Sequence, residues 1–242
     1  MQLNNPHLQK YHDHGFYLIR GFTYPQCFKV IDFFDSTDLN TSGGIMEIGV
    51  EHGQFYMLLN CTTSSEEKSY CVDVFDQQNL NIDRSGKGSE FHFLTNLKNL
   101  DKHTTANTNI IKGDSTDKEL KIVDQIGPGS MRYISIDGGH TVTHTINDLM
   151  LAEQLIKNSG IVALDDISNY SWPGVVEGAV KYLLRDPTLV PVAIGYNKLW
   201  LCKLSYHQTY LDLLVNSSLI DNTTANPISK FMGWNLVILT PH

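Results

Sequence analysis

The 242-residue chain predicts an α/β fold: a doubly wound parallel sheet with helices on both faces, finished by a C-terminal antiparallel hairpin. Three observations predict it. Short apolar runs ending in Asp or Gly recur along the chain, amphipathic helical stretches separate them, and two late apolar runs flank a Gly-Tyr-Asn turn. Strands alternating with helices make βαβ units and a parallel sheet. A tight turn with glycine and asparagine joins antiparallel neighbours instead.

Residues 1–42 read as an N-terminal helical segment. In PQCFKVIDFFDS, Pro25 opens a helix and Phe28, Ile31 and Phe34 recur at helical spacing. IMEIGV from Ile45 reads as the first strand, followed by a glycine turn and the apolar run FYMLLN. YCVDVF from Tyr70 is the second, and the polar, glycine-bearing loop QQNLNIDRSGKGSE follows it. NIIKGD from Asn109, RYISID from Arg132 and IVALDD from Ile161 supply strands three to five. Between the last two, Val142, Ile146, Leu149, Ala152, Leu155 and Ile156 form one apolar stripe, with Gly160 just past its end. WPGVVEGAVKYLLRD reads as a helix stopped at Asp186-Pro187, and VPVAIGYNKLWLCKL as two strands around the tight turn. Residues 43–205 thus form a core and 206–242 an extension of helix, polar loop and short strand NLVIL. No linker or repeat separates the three, so residues 1–242 read as one domain.

Composition narrows the function classes. Apolar residues make up 41% and charged residues 18%, enough to bury an ordinary globular interior. The formal net charge is -8 and no Lys/Arg run is present, so nucleic acid is not the expected partner. No stretch approaches the roughly 20 apolar residues of a membrane span, and no secretory leader opens the chain, so no membrane partner and a cytoplasmic location are expected. Cys27, Cys61, Cys71 and Cys202 form no CxxC pair and read as reduced thiols. Self-association into a homo-oligomer stays open.

Ligands of open parallel sheets bind beyond the carboxyl ends of strands where strand order reverses. The first strand runs there into GGIMEIGVEHG. Gly49 and Gly53 leave backbone amides open to a ligand, and Glu47 offers a carboxylate to a cationic amine. A nicotinamide-dependent oxidoreductase would need G-x-G-x-x-G, which is absent, and Glu47 and Glu51 would repel a pyrophosphate. A ligand bearing a sulfonium and an amine suits the turn better. Asp73 ends the second strand, where a carboxylate can accept ribose hydroxyl hydrogens, and Asp114 with Ser115 ends the third. Each aspartate alone could instead be a helix cap. All of them at successive strand ends make a cofactor site the stronger reading.

Glu47-x-Gly49-x-x-x-Gly53, Asp73 and Asp114 together resemble the fingerprint of class I S-adenosylmethionine-dependent methyltransferases over roughly residues 43–205. The resemblance implies a Rossmann-like class I methyltransferase fold. It further implies that Glu47 to Gly53 cradle the methionine moiety, that Asp73 binds the ribose, and that Asp114 and Ser115 lie by the adenine. A cofactor-binding module without catalysis would carry the same motifs.

A second constellation follows: Asp137-Gly138-Gly139-His140 after strand four, and Asp165-Asp166 after strand five. Neighbouring strands bring these carboxylates together, so either a pKa rises or a cation binds. Carboxylate oxygens favour Mg²⁺, with Mn²⁺ or Ca²⁺ as substitutes. His140 and His144 lie one helical turn apart, but no HExxH pattern or third ligand supports zinc. IDGGH followed by DLMLAEQLIKNSGIVALDD resembles the macrocin O-methyltransferase type, metal-dependent enzymes that methylate sugar hydroxyls of natural products. That resemblance implies a small-molecule acceptor, a sugar or glycosylated metabolite, and Asp137, Asp165 and Asp166 as metal ligands. Asp137 or His140 would take the proton; position favours Asp137 and basicity favours His140. Trp172 is left with two readings, stacking on a substrate or covering the sheet.

Overall fold

The computed structural model describes residues 1–39, 42–100, 107–220 and 227–240. Part of the expected C-terminal polar loop, 221–226, lies outside the described residues. Helices α1 (Pro6–His14) and α2 (Cys27–Asp35) precede the sheet, as the spacing of Phe28, Ile31 and Phe34 requires. The βαβ units then run β1 (Gly44–Ile48), α3 (Gln54–Asn60), β2 (Ser69–Asp73), α4 (Glu90–Leu100), β3 (Thr108–Lys112), α5 (Ile122–Ile126), β4 (Met131–Ile136), α6 (Val142–Leu155), β5 (Ile156–Leu164) and α7 (Pro173–Leu183). A hairpin of β6 (Leu189–Gly195) and β7 (Lys198–Lys203) comes next, then α8 (His207–Val215), β8 (Ile228–Phe231) and β9 (Trp234–Ile238).

The nine strands form one sheet in the order β3-β2-β1-β4-β5-β7-β6-β9-β8. β1 pairs in parallel with both β2 and β4, so the chain reverses its direction of travel between β1 and β4 and opens a crevice at their carboxyl ends. β7 runs antiparallel between β5 and β6. Tyr196 and Asn197 both carry positive φ, +56° and +64°, which is the geometry of a two-residue hairpin turn. The extension adds a second hairpin, β8–β9, and β9 pairs in parallel with β6.

Alternating side chains feed two apolar layers. Ile45, Cys71, Tyr133, Ile161 and Trp200 pack on one face with α1 to α4 and α8, including Phe28, Phe34, Phe93 and Tyr210. Met46, Val72, Ile134, Val162 and Leu199 face the other, against α5, α6 and α7. Fully burying a side chain of this size is worth about 1.5–3 kcal/mol, so both layers hold the sheet. One boundary differs from expectation. Ile156 belongs to β5 rather than to the helix, and Gly160 lies inside that strand, where a Cβ would collide with the Ile156 side chain and the Arg132 carbonyl. Glycine is needed there for close approach, not as a helix stop. The four cysteines are free thiols. Among the described residues no helix is long and apolar enough to cross a membrane.

Candidate active site

After Ile48 the chain turns through Gly49 and Gly53, with φ of +80° and +89°. A Cβ on Gly49 would overlap the Asp137 carbonyl oxygen, so the turn needs glycine for its φ and for its contact with the end of β4. Asp73 laces this turn. Its Oδ2 accepts from the Val50 and Glu51 amides at 2.5 and 2.8 Å, and its Oδ1 accepts from the Phe75 amide at 2.5 Å. Three of the carboxylate's four lone-pair positions are used, which leaves one on Oδ1 for a ligand hydroxyl.

Glu47 sits behind the turn and is buried, and its Oε2 meets no donor of hydrogen-bond geometry among the described residues. Burial raises its pKa well above the carboxylate range, and the charge of Asp137 adds to this. A buried, unsatisfied acceptor of this kind suits a cationic amine. At the end of β3, Asp114 Oδ1 accepts from the Thr116 amide and hydroxyl, both at 2.8 Å, and lies 3.3 Å from His144 Nε2. The aspartate thus caps its turn and lines the cleft beside Ser115 and His144. Ser115 is held by its carbonyl, which accepts from Asn147 Nδ2 at 3.1 Å.

The other end of the cleft, beyond β4 and β5, is built on His140. Its Nδ1 is 2.6 Å from Asp83 Oδ2, which also accepts the His140 amide at 2.8 Å. Its Nε2 is 2.9 Å from Asp166 Oδ2 and 3.5 Å from Asp137 Oδ1. Trp172 stacks on the ring at 4.4 Å, so the indole steadies His140. Burial alone would lower the His140 pKa, but hydrogen bonds to Asp137, Asp166 and Asp83 outweigh it and push it up to about 11. Asp137 keeps 39% of its side chain open to the cleft. Its surroundings and the charge of Asp165 nonetheless raise its carboxyl to about 7.

Adjacent strands β4 and β5 do bring Asp137, Asp165 and Asp166 to one rim, with Ile136 opposite Leu164. Among the described residues, the donors that cluster within 4.8 Å of one another are Asp137, His140 and Asp166, so the cluster takes in His140 in place of the expected Asp165. Asp165 also lines the cleft but is tied to its own partners: Lys198 Nζ donates to its Oδ2 and the Asp166 amide to its Oδ1. Asp166 carries a φ of +61° and is pinned by Asn197 Nδ2 at 2.6 Å and Asn169 Nδ2 at 2.9 Å.

Several of these partners were not legible as site residues. Asp83 comes from the polar loop after β2, and Asn197 and Lys198 come from the hairpin. The N-terminal segment also reaches the cleft. Gln54 donates to the Phe16 and Ile19 carbonyls at 3.2 and 2.9 Å and accepts from the Thr23 amide at 3.0 Å, strapping residues 20–25 across the opening. The one sequence signal was Lys198 itself, a charge at an inward position of an apolar strand.

The family model described as a methyltransferase domain matches residues 46–167. No curated relative matches the sequence. Among solved structures the chain is similar to CalS11, a TDP-rhamnose 3'-O-methyltransferase of calicheamicin biosynthesis, at 18% identity and a TM-score of 0.56 over 80% of this chain and 86% of that one. It is similar to MycE of the mycinamycin pathway, solved with Mg, SAH and mycinamycin VI, at 17% identity and a TM-score of 0.56 over 83% of this chain and 54% of that one. A third likeness is to an O-methyltransferase from Bacillus cereus in complex with SAH, at 13% identity and a TM-score of 0.55 over 80% and 87% of the two chains. At these identities the likenesses speak for the fold. With a family match over half its length and the glycine turn at the switch point of such a sheet, the chain belongs to the methyltransferase family and has the class I methyltransferase fold.

Proposed function

We propose that the chain methylates a hydroxyl oxygen of a small molecule, a sugar or glycosylated metabolite, using S-adenosylmethionine and a divalent cation. The observation that carries this reading is continuity. One cleft of about 930 Å³ at the switch point joins the glycine turn after β1 to Asp137, His140 and Asp166. That is the upper end of the ligand-pocket range and has room for two ligands side by side. The acceptors and the Mg named for CalS11 and MycE support the same direction.

Glu47, Gly49 and Gly53 would hold the methionine part of the cofactor, Asp73 the ribose, and Asp114 with Ser115 the adenine end. The orphaned Glu47 oxygen fits a cationic amine there. Asp137 and Asp166, which cluster with His140, would hold Mg²⁺, with Mn²⁺ or Ca²⁺ as substitutes; Asp165 would join them as the third carboxylate while sharing its charge with Lys198. When bound, a divalent cation would supply Lewis acidity toward the acceptor hydroxyl. With Asp137 and Asp166 engaged as ligands, His140 Nε2 would be the group left to take the proton. In the chain's own electrostatics the roles differ: His140 is protonated and donates, while Asp137, with a pKa near 7, is the acceptor. The acceptor oxygen gains the methyl, and its proton goes to one of these two groups.

Calorimetry with S-adenosylhomocysteine and with NAD tests the cofactor. We expect the first to bind and the second not; the reverse result rejects methyl transfer in favour of hydride chemistry. Once an acceptor is in hand, EDTA should abolish turnover and Mg²⁺ restore it. Full turnover after exhaustive chelation rejects the cation and leaves the methyl transfer.

A further inference from the structure

Three separate stretches of chain carry apolar side chains to the mouth of the cleft and leave them in solvent. Phe22 and Tyr24 come from the strap before α2, Leu80 and Ile82 from the loop after β2, and Tyr170 from the turn after β5. Their exposure runs from 39% for Leu80 to 96% for Tyr170. Single exposed apolar residues are ordinary on a surface, but three segments converging on one opening mark a ligand groove. This rim opens on the reaction end. Ile82 precedes Asp83, which holds His140, and Tyr170 follows Asn169, which holds Asp166.

The charge inside is one-sided. Glu47, Glu51, Asp73 and Asp114 line the cofactor half, and Asp83, Asp137, Asp165 and Asp166 line the reaction end. The one guanidinium among the described cleft residues, Arg20, pairs with Glu51 at 3.2 Å. His140 and His144 face carboxylates of their own. A sulfonium and a divalent cation find compensation in such a cleft, whereas a phosphate or carboxylate inside it meets, among the described lining residues, only cations already facing carboxylates; the exposed Arg84 and Lys87 lie on the bordering loop and are not among those lining residues.

We infer that the acceptor is an uncharged or cationic molecule with a flat apolar face that lies on this rim, and that acceptors carried on a diphosphate bind more weakly. The inference rests on the methyltransferase reading above. Two probes share a sugar and differ in its carrier: p-nitrophenyl rhamnoside and TDP-rhamnose. Titrated into protein loaded with S-adenosylhomocysteine at physiological ionic strength, the aryl glycoside should bind about tenfold or more tightly than the nucleotide sugar, a gap of about 1.4 kcal/mol. Tyr170→Ala and Phe22→Ala should each weaken binding of the aryl glycoside several-fold without changing affinity for S-adenosylhomocysteine. Equal or tighter binding of TDP-rhamnose, or no binding of the aryl glycoside at millimolar concentration, overturns the inference. Unchanged affinity for the aryl glycoside in both variants overturns the assignment of the rim. Failure of S-adenosylhomocysteine to bind in the same experiment instead overturns the methyltransferase reading beneath it.

Discussion

At His140 both ring nitrogens meet carboxylates, and the two contacts do different work. The Asp83 contact, made twice through ring and backbone, orients the imidazole, while Nε2 stays on the side of Asp166 and Asp137. Asp83 is therefore placed to fix the orientation of the His140 ring. Asp83→Asn should lower kcat by about 10- to 100-fold, the scale of one charge-assisted hydrogen bond, and leave affinity for S-adenosylhomocysteine unchanged. Because Asp83 helps to raise the His140 pKa, the limb of the pH–rate profile belonging to His140 should also move to lower pH. An unmoved profile with unchanged kcat would remove Asp83 from the reaction. None of this was legible from the loop QQNLNIDRSGKGSE, where Asp83 reads as a turn residue whose Oδ1 accepts the Ser85 amide at 2.8 Å. Its partner lies 57 positions away, and no local pattern encodes a contact of that range.

Among the elements, β5 and β7 supply the charge balance beneath the site. Lys198 opens β7, is 1% exposed, donates to Asp165 and lies 4.2 Å from the centre of the Phe55 ring. Removing one partner of a buried ion pair leaves the other uncompensated, at a cost of about 3–5 kcal/mol. Lys198→Met should therefore lose that much stability in denaturant unfolding, and adding Asp165→Asn should recover a large part of it. A loss below about 1 kcal/mol would show that Asp165 stays solvated without Lys198. Element type was largely legible from spacing, as α2 and the β6–β7 turn show. The α6–β5 boundary was not: Ile156 continues the helical stripe, and its strand pairing with Met131 is a tertiary choice.

At the scale of the molecule, stability and pH are linked through groups the sheet buries. Asp148, on α6, is fully buried, and its Oδ2 has no hydrogen-bond partner among the described residues. Burial raises its pKa to about 6. A raised folded-state pKa means that the stability it confers is complete below the unfolded value, near 4, and is lost as the pH rises through 6. Asp148→Asn cannot ionise, so it should match the parent near pH 4 and exceed it at pH 8 by at most about 3 kcal/mol, measured by chemical unfolding at both values. Equal pH dependence in the two proteins would count against a buried, ionising Asp148. The sequence by itself determined the alternation of strand and helix, the glycine turn after β1 and the aspartates at strand ends, because these are short-range demands of backbone geometry and of apolar period. Only the tertiary structure decided which donors surround His140, that Lys198 takes up part of Asp165, and that residues 20–25 and 80–82 border the cleft. Those contacts depend on strand order and on loops folding back over the sheet, and no spacing along the chain records where a loop lands.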